Sequence, residues 1–307
     1  MTTMTEDVQT PEPSAVDLGL ESAEKPRSMF ARGWEVFAEN KLALASLIFL
    51  IFALAFAFLG PFVYHSNTTQ IELNNFTLPP GAQHPLGTDQ QGFDELGDLM
   101  KATQSSLEVG LAAGLIAALF GALYGAVSGY VGGWLDALMM RIIDALMSFP
   151  YIFVLIYLGS VLGKGKLPMI LEIGFTFWFS ITRLVRGESL SIKVRDYVAA
   201  SKMMGGGAGR IIYKHILPNT IGTTIVNTTF SIADAIFALS TLSFIGLGLP
   251  PTQADLGGLV DAGTNYLSQG YWWMIFPAAV MIVLLIMSFN IIGDALRDAV
   301  ETRLQKR

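Results

Sequence analysis

Six apolar stretches, each close to the length of a membrane-spanning helix, constrain this chain more than any other feature. They cover residues 42–64, 108–131, 137–160, 167–183, 221–247 and 272–295. A helix needs roughly 20 apolar residues to cross the hydrocarbon core of a bilayer. The composition agrees, because 52% of the residues are hydrophobic and only 14% are charged, against about 25% charged residues in soluble domains. We therefore predict an all-α polytopic membrane protein with six transmembrane helices.

The basic residues indicate the orientation of these spans. If the first span runs outward, 16 of the 19 Lys and Arg residues fall in cytoplasmic segments, and only Lys101, Lys164 and Lys166 fall elsewhere. The positive-inside rule then places both termini in the cytoplasm. The segments 65–104 and 248–270 are predicted to be extracytoplasmic, and the first of them is rich in acids.

The segments outside the spans complete the predicted organisation. The polar start of the chain is too poor in apolar residues to fold alone. The predicted parts are a disordered cytoplasmic tail over 1–28, an N-terminal amphipathic segment with the first span over 29–64, the extracytoplasmic segment 65–104, a transmembrane domain over 105–296 with a cytoplasmic loop over 184–220, and a cytoplasmic tail over 297–307.

Composition also excludes several functions. The chain has no cysteine, which excludes disulfides, thiolate metal sites and a cysteine nucleophile. The three histidines, His65, His84 and His215, are too far apart in sequence to indicate a metal site. The net charge of -6 does not indicate nucleic-acid binding.

Glycines and prolines within the spans predict packing and bending. Gly121, Gly125 and Gly129 recur every four residues in the second span, as do Gly110 and Gly114 near its start. Small residues on one face let helix backbones approach closely, so we expect this span to pack centrally. Pro150 and Pro277 interrupt the backbone hydrogen bonding of their spans, and a bend is expected at each.

The basic segment 196–218 is predicted to form two short helices joined by a tight turn. Asp196 is an N-cap candidate, and Tyr197, Ala200 and Met204 share one face of the first helix. Glycines 205–207 break that helix. A second helix is predicted from 208, with Ile211, Ile212 and Ile216 on one side and Arg210 and Lys214 on the other, and Pro218 ends it.

The small residues Ala199, Ala200 and Ser201 suggest that another surface docks on this segment. An amphipathic hairpin lying on anionic lipid and an ordinary solvated loop are the alternatives. The segment GGGAGR lacks the spacing of a phosphate-binding loop. We therefore do not expect this chain to hydrolyse ATP by itself.

Ionisable residues inside spans are costly and mark candidate translocation sites. Asn227, Ser231 and Asp234 share a face of the fifth span, where they either line a polar path or make structural hydrogen bonds. Asp144 is expected to pair with Arg141 one turn away on the same helix. Glu172 is a third candidate, and the sequence does not decide its role.

Several motifs resemble those of ABC-importer permeases. Segment 196–218 resembles their cytoplasmic EAA loop, in which EAA is followed by glycine and a later Leu-Pro; here the matches are Ala199-Ala200-Ser201, Gly205 and Leu217-Pro218, with Ala199 in place of the family glutamate. Four further stretches resemble the second permease subunit of dipeptide and oligopeptide importers. They are HPLGTDQ at 84–90, RLVRGE at 183–188, LSFIGLG at 242–248 and GDALRD at 293–298.

The chain departs from that pattern at three positions. Phe93 and Asp98 stand where relatives usually have basic residues, and Leu239 stands where they usually have an acid. The predicted external face is therefore more acidic than in the family, which favours cationic substrates or changes the contact with a binding protein.

The resemblance implies a type I ABC importer permease of a bacterial plasma membrane. It implies a homologous second permease subunit, two cytoplasmic ATPase subunits that bind ATP and Mg²⁺, an extracytoplasmic binding protein and a peptide substrate, with no cofactor in this chain. The implied ATPase-docking residues are Asp196, Tyr197, Ala199, Ala200, Ser201, Met204, Gly205, Arg210, Leu217 and Pro218. Importers of nickel chelates or oligosaccharides share this architecture, and a secondary transporter or a membrane scaffold are the rivals from other classes.

Overall fold

The computed structural model describes residues 34–305 apart from 36, 67–74 and 251. The predicted tail 1–28 lies outside the described residues. Eleven α-helices make up most of the described chain, with one π-helical turn at Ile212–Ile216 and two short 3₁₀ turns. The helices are α1 (Lys41–Phe58), α2 (Gly60–Val63), α3 (Glu95–Val131), α4 (Gly133–Met147), α5 (Tyr151–Leu162), α6 (Lys166–Ile192), α7 (Asp196–Met203), α8 (Ala208–Ile211), α9 (Leu217–Phe244), α10 (Leu256–Thr264) and α11 (Phe276–Gln305).

The predicted spans correspond to five long apolar helices and one bent pair. Three helices are clearly longer than predicted, and one of them, α11, runs to Gln305 rather than ending at 295. Helix α3 begins at Glu95 rather than near 108, and α6 continues to Ile192 rather than ending at 183. The prediction ended the fourth span at its first charges, but the helix continues because those charged side chains reach partners on other helices.

The bend expected at Pro150 is present, and the one expected at Pro277 is not. Helices α4 and α5 meet at an angle of 88°, and Pro150 occupies the position before α5. Pro277 is the second residue of α11. A proline in the first turn removes no helical hydrogen bond, so it causes no bend there.

Helix α3 packs on two sides through its glycines, as predicted. A Cβ atom added at Gly125 would lie 2.5 Å from the Thr182 carbonyl oxygen, and one at Gly121 would lie 2.7 Å from the Trp178 carbonyl oxygen, both on α6. At Gly110 and Gly114 the added atom would instead meet isoleucines of α9, Ile236 and Ile232. The glycines therefore set close contacts with α6 and α9, and α3 is the central helix.

Three apolar clusters surround α3. The first joins α1, α9 and α11 to the start of α3, the second joins α3 and α6 to the 196–218 segment, and the third joins α3, α5, α6 and α9.

Helix α3 has 37 residues, and at about 1.5 Å per residue it is longer than the roughly 30 Å hydrocarbon core. We call the two ends of the bundle by their charges: the acidic end holds Asp89, Glu95 and Asp98, and the basic end holds Arg186, Lys202 and Arg210.

Candidate coupling and translocation surfaces

The turn between α7 and α8 is built on glycine. Gly205 has a φ of +83°, and its N–H donates to the Lys202 carbonyl while the Gly206 N–H donates to the Ser201 carbonyl. These two bonds form the Schellman motif that ends a helix, and the left-handed residue in it is usually glycine. The prediction that glycine ends this helix is confirmed.

Two local predictions for the 196–218 segment are wrong. Asp196 is the first helical residue rather than the cap, because Arg195 has the extended backbone of an N-cap and offers no side-chain bond. Pro218 does not end the second helix, which continues into α9 through the π-helical turn. In that turn the Leu217 N–H donates to the Ile212 carbonyl, and the wider turn accommodates a proline that has no N–H to donate.

The segment exposes an apolar face at the basic end. Tyr197 and Met204 are both exposed, and Met204 is 81% accessible. Met203, which the sequence pattern missed, is equally exposed. Ala199 is exposed and Ala200 is half-buried, but Ser201 is buried against the rest of the chain. Ser201 is therefore a packing residue and not part of the exposed small-residue surface that was predicted.

The opposite face of the segment is anchored in the bundle. Val198, Ile211 and Ile216 are fully buried in the second apolar cluster, and the buried isoleucines match the predicted face. The Lys202 ammonium lies 5.2 Å from the ring centroid of Tyr130 at the end of α3, within the range of a cation–π contact. The segment is thus packed against α3 and α6 through its buried face.

Three charged residues of α6 connect this end of the bundle. The Arg186 guanidinium donates two bonds to Asp136 of α4, at 2.6 and 2.7 Å. Arg183 donates to Asp144 at 2.6 Å, so Asp144 pairs across helices rather than with Arg141 as predicted. A Thr223 hydroxyl of α9 donates to Glu188. These partners are remote in sequence, and no local pattern indicated them.

The three candidate path residues of α9 lie in three different environments. Asp234 is exposed on the helix and has no hydrogen-bond or ion-pair partner among the described residues. Asn227 is half-buried, and its amide donates to the Thr223 carbonyl. Ser231 is buried and faces the interior of the chain. The structure therefore leaves Asp234 available to a polar path, gives Asn227 a local bond, and places Ser231 in the packing.

Glu172 is the most buried acid of the spans in the described chain, with 2% of its surface accessible. Neither carboxylate oxygen has a hydrogen-bond partner. Across the helix interface it faces Gly159 of α5, where an added Cβ would lie 3.4 Å from a carboxylate oxygen. Leu155, Met169 and Ile173 belong to the apolar cluster around it.

At the acidic end, residues 84–94 form a compact loop held by Asp94. Its buried carboxylate accepts bonds from the Tyr64 hydroxyl at 2.9 Å, His84 Nδ1 at 2.8 Å and the Gly97 N–H at 3.0 Å. Burial, together with the bond to Asp94, raises the pKa of Tyr64 to about 12. Trp273 donates to the Thr88 carbonyl. The loop therefore fixes the start of α3 against the turn before α11.

Two of the three lysines that fall outside the predicted cytoplasmic segments have partners at this end. Lys166 lies 2.6 Å from the Glu108 carboxylate, and Lys164 donates to the Gly246 carbonyl. The Glu108 carboxylate offsets the charge of the Lys166 ammonium, and the Gly246 carbonyl gives the Lys164 ammonium a hydrogen-bond acceptor.

Comparisons with known proteins identify the family. Residues 110–306 match the model of the binding-protein-dependent transport system inner membrane component, and residues 28–80 match that of the N-terminal transmembrane domain of oligopeptide transport permease C. This chain belongs to the inner membrane component family. It is a permease.

Relatives in this permease family cover nearly the whole chain. The dipeptide transport system permease protein DppC of Bacillus subtilis (strain 168) is 39% identical over 93% of this chain and 90% of its own length. The oligopeptide transport system permease protein OppC of the same organism is 34% identical over 96% of this chain and 97% of its own. The oligopeptide transport system permease protein OppC of Escherichia coli (strain K12) is 36% identical over 90% of this chain and 92% of its own length.

Proposed function

We propose that this permease is one subunit of an ATP-driven ABC importer for di- or oligopeptides in a bacterial plasma membrane, with both termini in the cytoplasm. Its partners would be a homologous second permease, two ATPase subunits that bind ATP and Mg²⁺, and an extracytoplasmic peptide-binding protein. The observation that carries the proposal is the 196–218 segment, which is anchored on one face and exposes an apolar surface on the other.

The coupling mechanism follows from this two-faced segment. The ATPase subunits would dock on Tyr197, Ala200 and Met204, and their closure on ATP would move α7 and α8. Because α8 continues into α9 and Val198 packs with α6, that movement would turn the spans and expose the path to the outside. ATP needs only to favour one of the two conformations for this exchange to occur.

The test is ATP-dependent uptake of labelled di- to pentapeptides by proteoliposomes that contain the copurified complex and its binding protein. We expect uptake that requires both ATP and the binding protein. Ala200→Trp should leave the complex assembled and still able to hydrolyse ATP, but should abolish uptake, because a large side chain would obstruct the half-buried docking position. ATP hydrolysis stimulated only by nickel chelates or oligosaccharides would overturn the peptide assignment.

A further inference from the structure

Two neighbouring cavities lie at the acidic end. We call the larger of them, with a volume of about 410 Å³, the outer cavity and the smaller, with about 140 Å³, the inner pocket. The residues that line both are Asp89, Gln91, Asp98, Leu259 and Ala262. The outer cavity is therefore large enough for a short peptide segment, and the inner pocket holds only a small group.

Glu95 lines the inner pocket and has no partner there. Only 7% of its surface is accessible, and no described residue makes a hydrogen bond or ion pair with its carboxylate. Asp98, three positions later on the same helix, lines the same pocket, and like charges at this spacing repel each other. The neighbouring Asp94 differs, because its carboxylate accepts three bonds. A buried carboxylate without a partner is costly and takes up a proton, unless a ligand supplies a cationic donor that favours the charged form.

The other charged groups around the cavities are already committed or lie at the outer wall. Asp89 accepts bonds from the backbone of Gln91 and Phe93, and burial raises the pKa of its carboxyl group. Asp255 accepts the Gly258 N–H at the start of α10. Asp261, Lys101 and Lys164 line only the outer cavity. The inner pocket thus contains carboxylates and no basic residue among the described residues that line it.

We infer that the inner pocket binds the cationic group of a peptide substrate, an ammonium or a guanidinium, through Glu95 and Asp98. This inference rests on the proposed function and names the substrate class. A metal ion fits less well, because the described residues contain no group of three metal-ligating side chains close enough to hold one. On the outer wall, Gln253 Oε1 is buried without a hydrogen-bond partner and is placed to accept a peptide N–H.

The experiment compares Ala-Lys-Ala with Ala-Gln-Ala in the reconstituted complex with its binding protein. The wild-type complex and Glu95→Gln use the same binding protein, so its preference cancels in the comparison. We expect Glu95→Gln to lower the uptake ratio of Ala-Lys-Ala to Ala-Gln-Ala by about tenfold, which is the value of one charge-assisted hydrogen bond. Asp98→Asn should lower it in the same direction. Asp294→Asn, which removes one carboxylate at the basic end, should leave the ratio unchanged.

A second measurement is the equilibrium binding of fluorescent Ala-Lys-Ala to the detergent-solubilised complex without the binding protein. Saturable binding that Glu95→Gln weakens would support the pocket even if no peptide were transported, a result that would count against the proposed function alone. Peptide uptake with an unchanged ratio and unchanged binding in both variants would overturn the pocket and leave the proposed function intact. Absence of both uptake and binding would overturn both.

Discussion

Helices α3 and α6 form a close-packed pair, whereas α4 and α5 form an elbow that the described chain covers only in part. The pair runs parallel, with backbone atoms of α6 lying against the α3 glycines. In the elbow, only Asp136, Ile143 and Leu155 are buried, and large apolar side chains such as Trp134 are exposed. The pair is held by continuous contact, and the elbow is held by a few anchors.

The position of the elbow therefore depends on a small number of contacts with the pair. Two of its contacts with the pair are the ion pairs from Arg183 and Arg186 of α6. Those arginines lie on α6, which ends at Ile192, shortly before the 196–218 segment. A displacement of that segment would therefore reach the elbow through directional polar contacts rather than through apolar packing.

The largest expected effect is on the close-packed pair. Gly125→Ala should lower the free energy of unfolding by about 3 kcal/mol, because the new methyl group would meet the Thr182 carbonyl oxygen and force the two helices apart. The measurement is the midpoint of thermal unfolding of the purified complex in detergent. Gly187→Ala in α6 is the matched control, since its added Cβ has no neighbour within 4 Å. Equal stability of both variants would contradict close packing of the pair.

The next effect concerns the two ion pairs that join the elbow to α6. Asp136→Ala should destabilise the protein by about 2 kcal/mol, because it leaves the partly buried Arg186 guanidinium unpaired. This cost is below that of breaking a fully buried pair, because the arginine side chain is one-third exposed. Asp144→Ala removes a pair whose side chains are about half exposed, and its cost should stay below about 1 kcal/mol. The same unfolding measurement would contradict this ranking if Asp144 mattered more.

A smaller effect of opposite sign is expected at Glu172, where the pair meets the elbow. Glu172→Met should raise the free energy of unfolding by about 1 to 2 kcal/mol, because it replaces a buried carboxyl that has no hydrogen-bond partner. Glu172→Gln keeps the polar atoms and should give no gain. A loss of stability in Glu172→Met would show that the carboxyl has a partner in the assembled transporter, and peptide uptake by both variants would then test a role in transport.

The close-packed pair was predictable from sequence, and the elbow contacts were not. Spacing of four residues between glycines is a local pattern, and it indicated the packing of Gly121 and Gly125 correctly. The pairing of Arg186 with Asp136 joins positions 50 residues apart, so nothing near Arg186 predicts it. The charge of Arg183 suggested the end of a span, although its partner on α4 lets the helix continue.

The acidic end shows the same limit. The composition of 65–104 predicted an acidic surface there. The pocket around Glu95 also requires Leu259 and Tyr266, which are more than 160 positions away in the chain. Only the fold brings these walls together, and so only the structure separates the unpartnered Glu95 from the fully bonded Asp94.

The smallest expected effect compares one glycine from each region. The nearest group to a Cβ added at Gly159 of α5 is the Glu172 carboxylate, at an ordinary 3.4 Å. At Gly174 of α6 the added atom would lie 3.0 Å from Ile116 and 3.2 Å from a backbone oxygen of α3. Gly159→Ala should therefore stabilise the protein by about 0.5 kcal/mol through helix propensity, and Gly174→Ala should destabilise it by about 1 kcal/mol through overpacking. Thermal unfolding of the two variants in parallel measures the sign of each change. Destabilisation by Gly159→Ala as large as that by Gly174→Ala would mean that the elbow is packed as closely as the pair, and the contrast between the two regions would fail.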